Sequence, residues 1–159
     1  MILYHGSNMI IEKPEVNVGR RALDFGAGFY LTSNRDQAMR WSQAVTRRRQ
    51  SGVATLNFFE FNDSMLVGLV VRRFDGPDSE WLDFVVSNRK GLRESSAFDV
   101  VIGPVANDST MPVIDDYMDG RYTKEEAIAR LLPQKLTDQY VFASEKSLSS
   151  LSFKGSEAI

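Results

Sequence analysis

The sequence predicts an α+β fold with a mainly antiparallel sheet, on three observations. Several short stretches rich in β-branched and aromatic residues are bounded by Gly, Pro and Asn. Other stretches carry helix-opening caps ahead of apolar residues at helical spacing. The two kinds do not alternate regularly, which argues against a doubly wound parallel sheet. The 159 residues contain no repeat, low-complexity tract or linker, so one domain over residues 1–159 is expected.

Taken in order, residues 2–5 predict a short first strand, and Pro14 to Asp24 reads as a loop. Phe29 to Thr32 predicts a second strand. Asn34 and Gln37 have capping-box spacing and open a helix in which Ala38, Trp41 and Val45 share a face. Gly52 is expected to end it. Val53–Phe61 and Leu66–Phe74 read as strands, followed by a turn at Asp75-Gly76-Pro77. Ser79 to Asn88 predicts a helix with Trp81, Leu82 and Val85 on one side. Phe98 to Ile102 predicts a strand stopped by Gly103-Pro104, and residues 113–118 a short helix. Thr123 and Glu126 form a second capping-box pair, opening a helix that Pro133 closes. Tyr140-Val141-Phe142 is a late strand, and Ser144 caps a last short helix expected to carry Leu148 and Leu151.

Composition narrows the chemistry. An apolar share of 43% and a charged share of 25% are those of an ordinary globular protein, and a net charge of -2 does not favour a general nucleic-acid binder. With no cysteine and one histidine, disulfides, thiolate nucleophiles and histidine-cluster metal sites are excluded, and no metal is expected. The opening MILYHGSNMIIEKPE lacks the pattern of a signal peptide, and no apolar run approaches a membrane span. A cytoplasmic protein without a membrane partner is the expectation.

Three motifs stand out. Leu3-Tyr4-His5-Gly6-Ser7 ends the first strand with a glycine that lets a ligand approach the backbone, flanked by side chains that donate and accept hydrogen bonds. Asp24-Phe25-Gly26-Ala27-Gly28-Phe29-Tyr30-Leu31-Thr32 leads two glycines into an aromatic strand. It is no Rossmann fingerprint, because a strand and not a helix follows the glycines. Leu136-Thr137-Asp138-Gln139-Tyr140-Val141-Phe142 places polar residues where a loop enters a strand. Each motif alone also reads as ordinary turn and core residues.

In this order the three resemble the ADP-ribosyltransferases of the diphtheria-toxin and poly(ADP-ribose) polymerase branch, which carry a histidine–tyrosine–glutamate triad. The likeness is closer to a bacterial family of unknown-function domains in that fold superfamily, to which FDGPDSEWLDFVVSNR and FDVVIGPVAND are also similar. The resemblance implies two small, mainly antiparallel sheets around a cleft for NAD, with flanking helices. It implies that His5 holds the adenosine-side ribose, that Gly6 and Ser7 hold the nicotinamide amide, and that Tyr30 stacks on the nicotinamide ring. It also implies a second aromatic on the following helix. Trp41 suits that place and equally suits the buried stripe with Ala38 and Val45.

The third triad position departs from the family, because Gln139 stands where a glutamate is expected. A glutamine can accept a hydrogen bond from a ribose hydroxyl but offers neither a full charge nor a base. Single ADP-ribose transfer is therefore expected over polymer formation. The resemblance implies NAD as substrate, a protein or nucleic-acid acceptor and, by analogy with small bacterial members, an antitoxin partner. An NAD glycohydrolase and a non-catalytic NAD- or ADP-ribose-binding module are the alternatives.

Other residues carry plainer expectations. Asn107 and Asp108 reach the cleft or form an Asx turn. Arg47-Arg48-Arg49 forms a solvated helix end or attracts an anion. Trp81, Asp83 and Arg89 are core plus surface.

Overall fold

The computed structural model describes residues 1–16, 24–92, 97–107 and 109–159. Asp108 and part of the loop expected between Pro14 and Asp24 lie outside the described residues. Among the described residues the architecture is α+β, with two small sheets and five α-helices.

Strand β1 (Ile2–Ser7), β3 (Thr55–Phe61) and β7 (Leu151–Ala158) form a three-stranded antiparallel sheet in the order β1-β3-β7. Strand β2 (Phe29–Leu31), β6 (Asp138–Phe142), β5 (Val100–Pro104) and β4 (Val71–Arg73) form a four-stranded sheet in the order β2-β6-β5-β4. Its β4–β5 pair is parallel and the others are antiparallel. The sheets meet edge to edge at one point, where Tyr4 and Thr32 exchange backbone hydrogen bonds of 2.8 and 3.0 Å.

Alternation along the strands divides the core. Leu3, Phe59 and Phe61 from the smaller sheet pack with Phe29, Leu31, Val100, Ile102 and Phe142 from the larger one, and this apolar layer joins the two sheets. Val101 and Val141 point the other way, onto Trp81, Leu82 and Val85 of helix α2 (Ser79–Arg89), Ile114 of α3 (Met111–Met118) and Leu131 of α4 (Lys124–Leu131). Trp81 is fully buried and its indole N–H donates to the Pro104 carbonyl at 2.9 Å, so its expected core role holds.

Helix α1 (Arg35–Arg49) packs on β1 and β3. Asn34 caps it by accepting from the Gln37 N–H at 2.8 Å. The return bond of a capping box is absent: the Asn34 N–H donates to Thr32 Oγ1 instead. Thr123 likewise supplies the cap of α4. A full capping box occurs at α5 (Glu145–Leu148), between Ser144 and Ser147. No helix of the described residues is long and apolar enough to cross a membrane.

Four sequence expectations need correction. The run Leu66–Phe74 is not one strand: Asn62 caps a 3-10 turn over Asp63–Leu66, Gly68 turns at a φ of 85°, and only Val71–Arg73 pairs. Helix α1 stops before Gly52, because Gln50 already takes a left-handed φ of 52°. Strand β5 runs through Gly103 to Pro104. Leu151 belongs not to the last helix but to β7, a strand the sequence did not announce, since LSFKGSEA holds no β-branched residue.

Candidate functional site

A cavity of about 680 Å³ opens where the two sheets part beyond the Tyr4–Thr32 bridge. His5, Gly6, Ser7, Tyr30, Trp41 and Gln139 all line it. Residues from three separated motifs and a helix thus converge on one space, of a size usual for small-molecule sites.

Strand β1 supplies the first wall. Tyr4 directs both its backbone groups to Thr32, and in an antiparallel ladder residues two apart direct theirs to the same edge. The N–H and C=O of Gly6 therefore face the cleft side of β1, where the described residues provide them no backbone partner. The glycine itself has another reason. A Cβ there would lie 2.1 Å from the Ala38 carbonyl oxygen and 2.7 Å from the Ser42 nitrogen. Gly6 thus admits the backbone of α1, a packing reason that adds to the ligand approach expected from the sequence.

His5 leaves the opposite face of β1. Its ring stacks on Phe29 with centroids 4.2 Å apart, and Nδ1 lies 2.7 Å from the Tyr30 carbonyl oxygen. A carbonyl only accepts, so Nδ1 carries the proton and Nε2 of the neutral ring is an acceptor. Burial lowers the His5 pKa to about 4, the bond to the Tyr30 carbonyl opposes this, and the nearby charge of Arg49 lowers it further. His5 is therefore neutral at physiological pH. The loop after β1 is held by the fully buried Asn57, which accepts from the Ile11 N–H at 2.8 Å and donates to the Met9 carbonyl at 3.1 Å. Neither Asn57 nor the exposed apolar pair Met9-Ile10 at the cavity wall was singled out from sequence. An apolar run inside a loop was the available signal.

The second wall comes from β2 and β6. Tyr30 pairs with Val141, two residues beyond Gln139, so both side chains leave the same face. The Tyr30 hydroxyl donates to the Gly26 carbonyl, and burial, with Asp24 nearby, raises its pKa; it remains neutral. Gly28 is another packing glycine, since a Cβ would meet Val141 Cγ1 at 2.5 Å. Asp24 is fixed by Arg89 at 2.6 Å, and the Asn88 amide donates to its carbonyl at 3.0 Å. Arg89 is thus no surface residue but a brace behind the cleft wall. Asp83 does lie at the surface, paired with Lys124 at 2.8 Å.

Gln139 is 2% exposed, and its amide nitrogen has no hydrogen-bond partner among the described residues. Leaving a buried amide unpaired costs about 1–3 kcal/mol. Its neighbour Asp138 is fully employed elsewhere: it accepts from Thr32 Oγ1 at 3.0 Å, from the Ser33 N–H at 2.8 Å and from the Ser33 hydroxyl. Asp138 ties the start of β6 to the start of α1 and is not a cavity residue.

Helix α1 closes the third side with Trp41 and Val45. Trp41 is only partly buried and lines the cavity, so it is not part of the buried core. Arg48 and Arg49 also line the cavity, and Arg47 does not. Asn107 forms the Asx turn, accepting from the N–H groups of Ser109 and Thr110.

No curated protein and no solved structure matches the chain. A family model does match, over residues 1–153, nearly the whole of the fold and every residue of the cleft, and the chain therefore belongs to the protein family of unknown function DUF3990.

Proposed function

We propose that this protein is a mono-ADP-ribosyltransferase of ADP-ribosyltransferase-like fold, with NAD bound in the cleft between the sheets. The observation that carries this reading is the pair of backbone groups at Gly6, without a partner among the described residues and facing the space that Tyr30, Trp41 and Gln139 share. One N–H beside one C=O complements a primary carboxamide, which offers one acceptor and one donor. Nicotinamide has that group on a flat cationic ring, and two aromatic faces favour such a ring by roughly 0.5–2 kcal/mol.

In this reading the His5 Nε2 accepts from a hydroxyl of the adenosine-side ribose. NADP, with a phosphate on that sugar, is expected to bind much less well. The Gln139 carboxamide meets the nicotinamide-side ribose, and rotation about its last torsion presents either oxygen or nitrogen. The bond from ribose C1′ to the pyridine nitrogen breaks, and its electron pair leaves with neutral nicotinamide. The acceptor forms the new bond to C1′ and releases its proton to solvent water. A hydrogen bond that the Gln139 amide oxygen accepts from that ribose's hydroxyl strengthens as positive charge grows on the sugar and lowers the barrier.

Since Gln139 cannot act as a base, a second reading keeps the binding and omits the chemistry: an NAD- or ADP-ribose-binding module. Incubating the protein with NAD labelled in the adenylate portion and a bacterial lysate separates the possibilities. Label entering protein or nucleic acid is expected. Free ADP-ribose with nicotinamide identifies a glycohydrolase, and intact NAD identifies a binding module. The proposed role as a cytoplasmic toxin with an antitoxin predicts growth arrest on expression, relieved by His5→Ala. Normal growth at high levels of folded protein contradicts it.

A further inference from the structure

We infer that Arg48 and Arg49 form an anion subsite that takes the phosphate groups of the cleft's ligand; the identity of that ligand rests on the NAD reading. Trp41, Val45 and Arg48 lie at helical spacing on the face of α1 that borders the cavity. Seven residues of helix carry Arg48 roughly 10 Å along the axis from Trp41. The cleft is thus aromatic beside Gly6 and cationic at its other end.

Arg49 is held in place: one of its guanidinium nitrogens donates to the buried Asn8 Oδ1 at 2.9 Å. Arg49 and His5 line the same cavity, and the arginine's charge contributes to lowering the His5 pKa. The negative end of the α1 dipole and the lining carboxylates Glu12 and Glu15 oppose an anion here. Two guanidiniums and Lys13, which also lines the cavity, outweigh that field, and the third lining carboxylate, Asp24, is already paired with Arg89. Neither Arg48 nor Arg49 has a carboxylate partner among the described residues, which leaves their planar donor forks available to phosphate oxygens. Arg47, outside the cavity, serves only the helix end.

The test is calorimetry with ADP-ribose, inorganic pyrophosphate, adenosine and nicotinamide on wild type, Arg48→Ala, Arg49→Ala, the double variant and Arg47→Ala, each checked by thermal melting. ADP-ribose and pyrophosphate affinities are expected to fall about tenfold for each cavity arginine removed. Adenosine and nicotinamide affinities should stay within about twofold, Arg47→Ala should match wild type, and Arg49→Lys should recover only part of the loss. Pyrophosphate binding that depends on both arginines, in a protein that takes no NAD, supports the subsite and removes the NAD reading. Unchanged ADP-ribose affinity in a folded double variant overturns the subsite and leaves the NAD reading standing. Wild type that takes neither phosphorylated probe overturns the subsite as well.

Discussion

The β1 wall and the β6 wall of the cleft differ in how completely folding accounts for them. On the β1 wall the glycine and the histidine have packing reasons: Gly6 makes room for α1, His5 stacks on Phe29 and donates to Tyr30, and Asn57 of the neighbouring β3 pins the loop after β1. On β6, Asp138 is fully bonded, yet the next residue buries an amide nitrogen that no described residue bonds. A side chain that the packing explains says little about function. One that the packing cannot explain, in a cavity shared with other polar groups, is where function is best read.

That contrast can be broken most severely at Gly6. A methyl group there cannot avoid the Ala38 carbonyl, and Gly6→Ala is expected to destabilise the protein by about 3 kcal/mol or more, read from urea unfolding. A melting point near wild type would show that α1 yields, and that packing determines the β1 wall less tightly than the Ala38 contact implies. The opposite result is expected at Gln139. Removing an unpaired buried amide without changing volume much should raise stability, so Gln139→Leu is expected to gain about 1 kcal/mol or more in the same assay. A loss instead would mean that the amide is satisfied in solution.

Trp41 tests a smaller effect. NAD should quench a tryptophan signal that disappears in Trp41→Phe and persists in Trp81→Phe, with an affinity change of only about 0.5–1.5 kcal/mol. Unfolding of Trp41→Phe would return that residue to the core. A pH-dependent effect is expected at His5. Its folded pKa lies below that of the unfolded chain, so the unfolded state binds the proton first as pH falls. The stability this group contributes is complete above about pH 6.5 and is lost as pH falls from there toward about 4. As the chain's one histidine, it gives an unambiguous NMR titration with an expected midpoint near 4. A midpoint near 6.5 would place the ring in water.

Local signals were the legible ones. Asn34, Thr123 and Ser144 each open a helix, because a cap is decided within one turn of chain. The run Leu66–Phe74 misled because an apolar stretch reports burial only when a sheet is there to receive it; Met65, Val67 and Val70 remain exposed. Strand β7 escaped notice because its pairing to β3, nearly a hundred residues earlier, is its reason to exist. Of the site, His5, Tyr30 and Gln139 were found by motif resemblance. Trp41's place, the bracing Arg89–Asp24 pair and the arginines at the cleft end depend on how α1 and α2 dock, which no local pattern encodes.

The NAD reading gives the unbonded Gln139 amide a purpose, a reaction on the bound nucleotide. Its most direct test is nicotinamide release by wild type and by Gln139→Leu, alongside NAD affinity for both. Wild type is expected to release nicotinamide. The leucine variant, folded and binding NAD within a few fold, is expected to be about a hundred- to a thousandfold slower, the usual effect of losing one preorganised transition-state contact. Equal rates in the two proteins, or a wild type that neither binds nor cleaves NAD, would contradict the account.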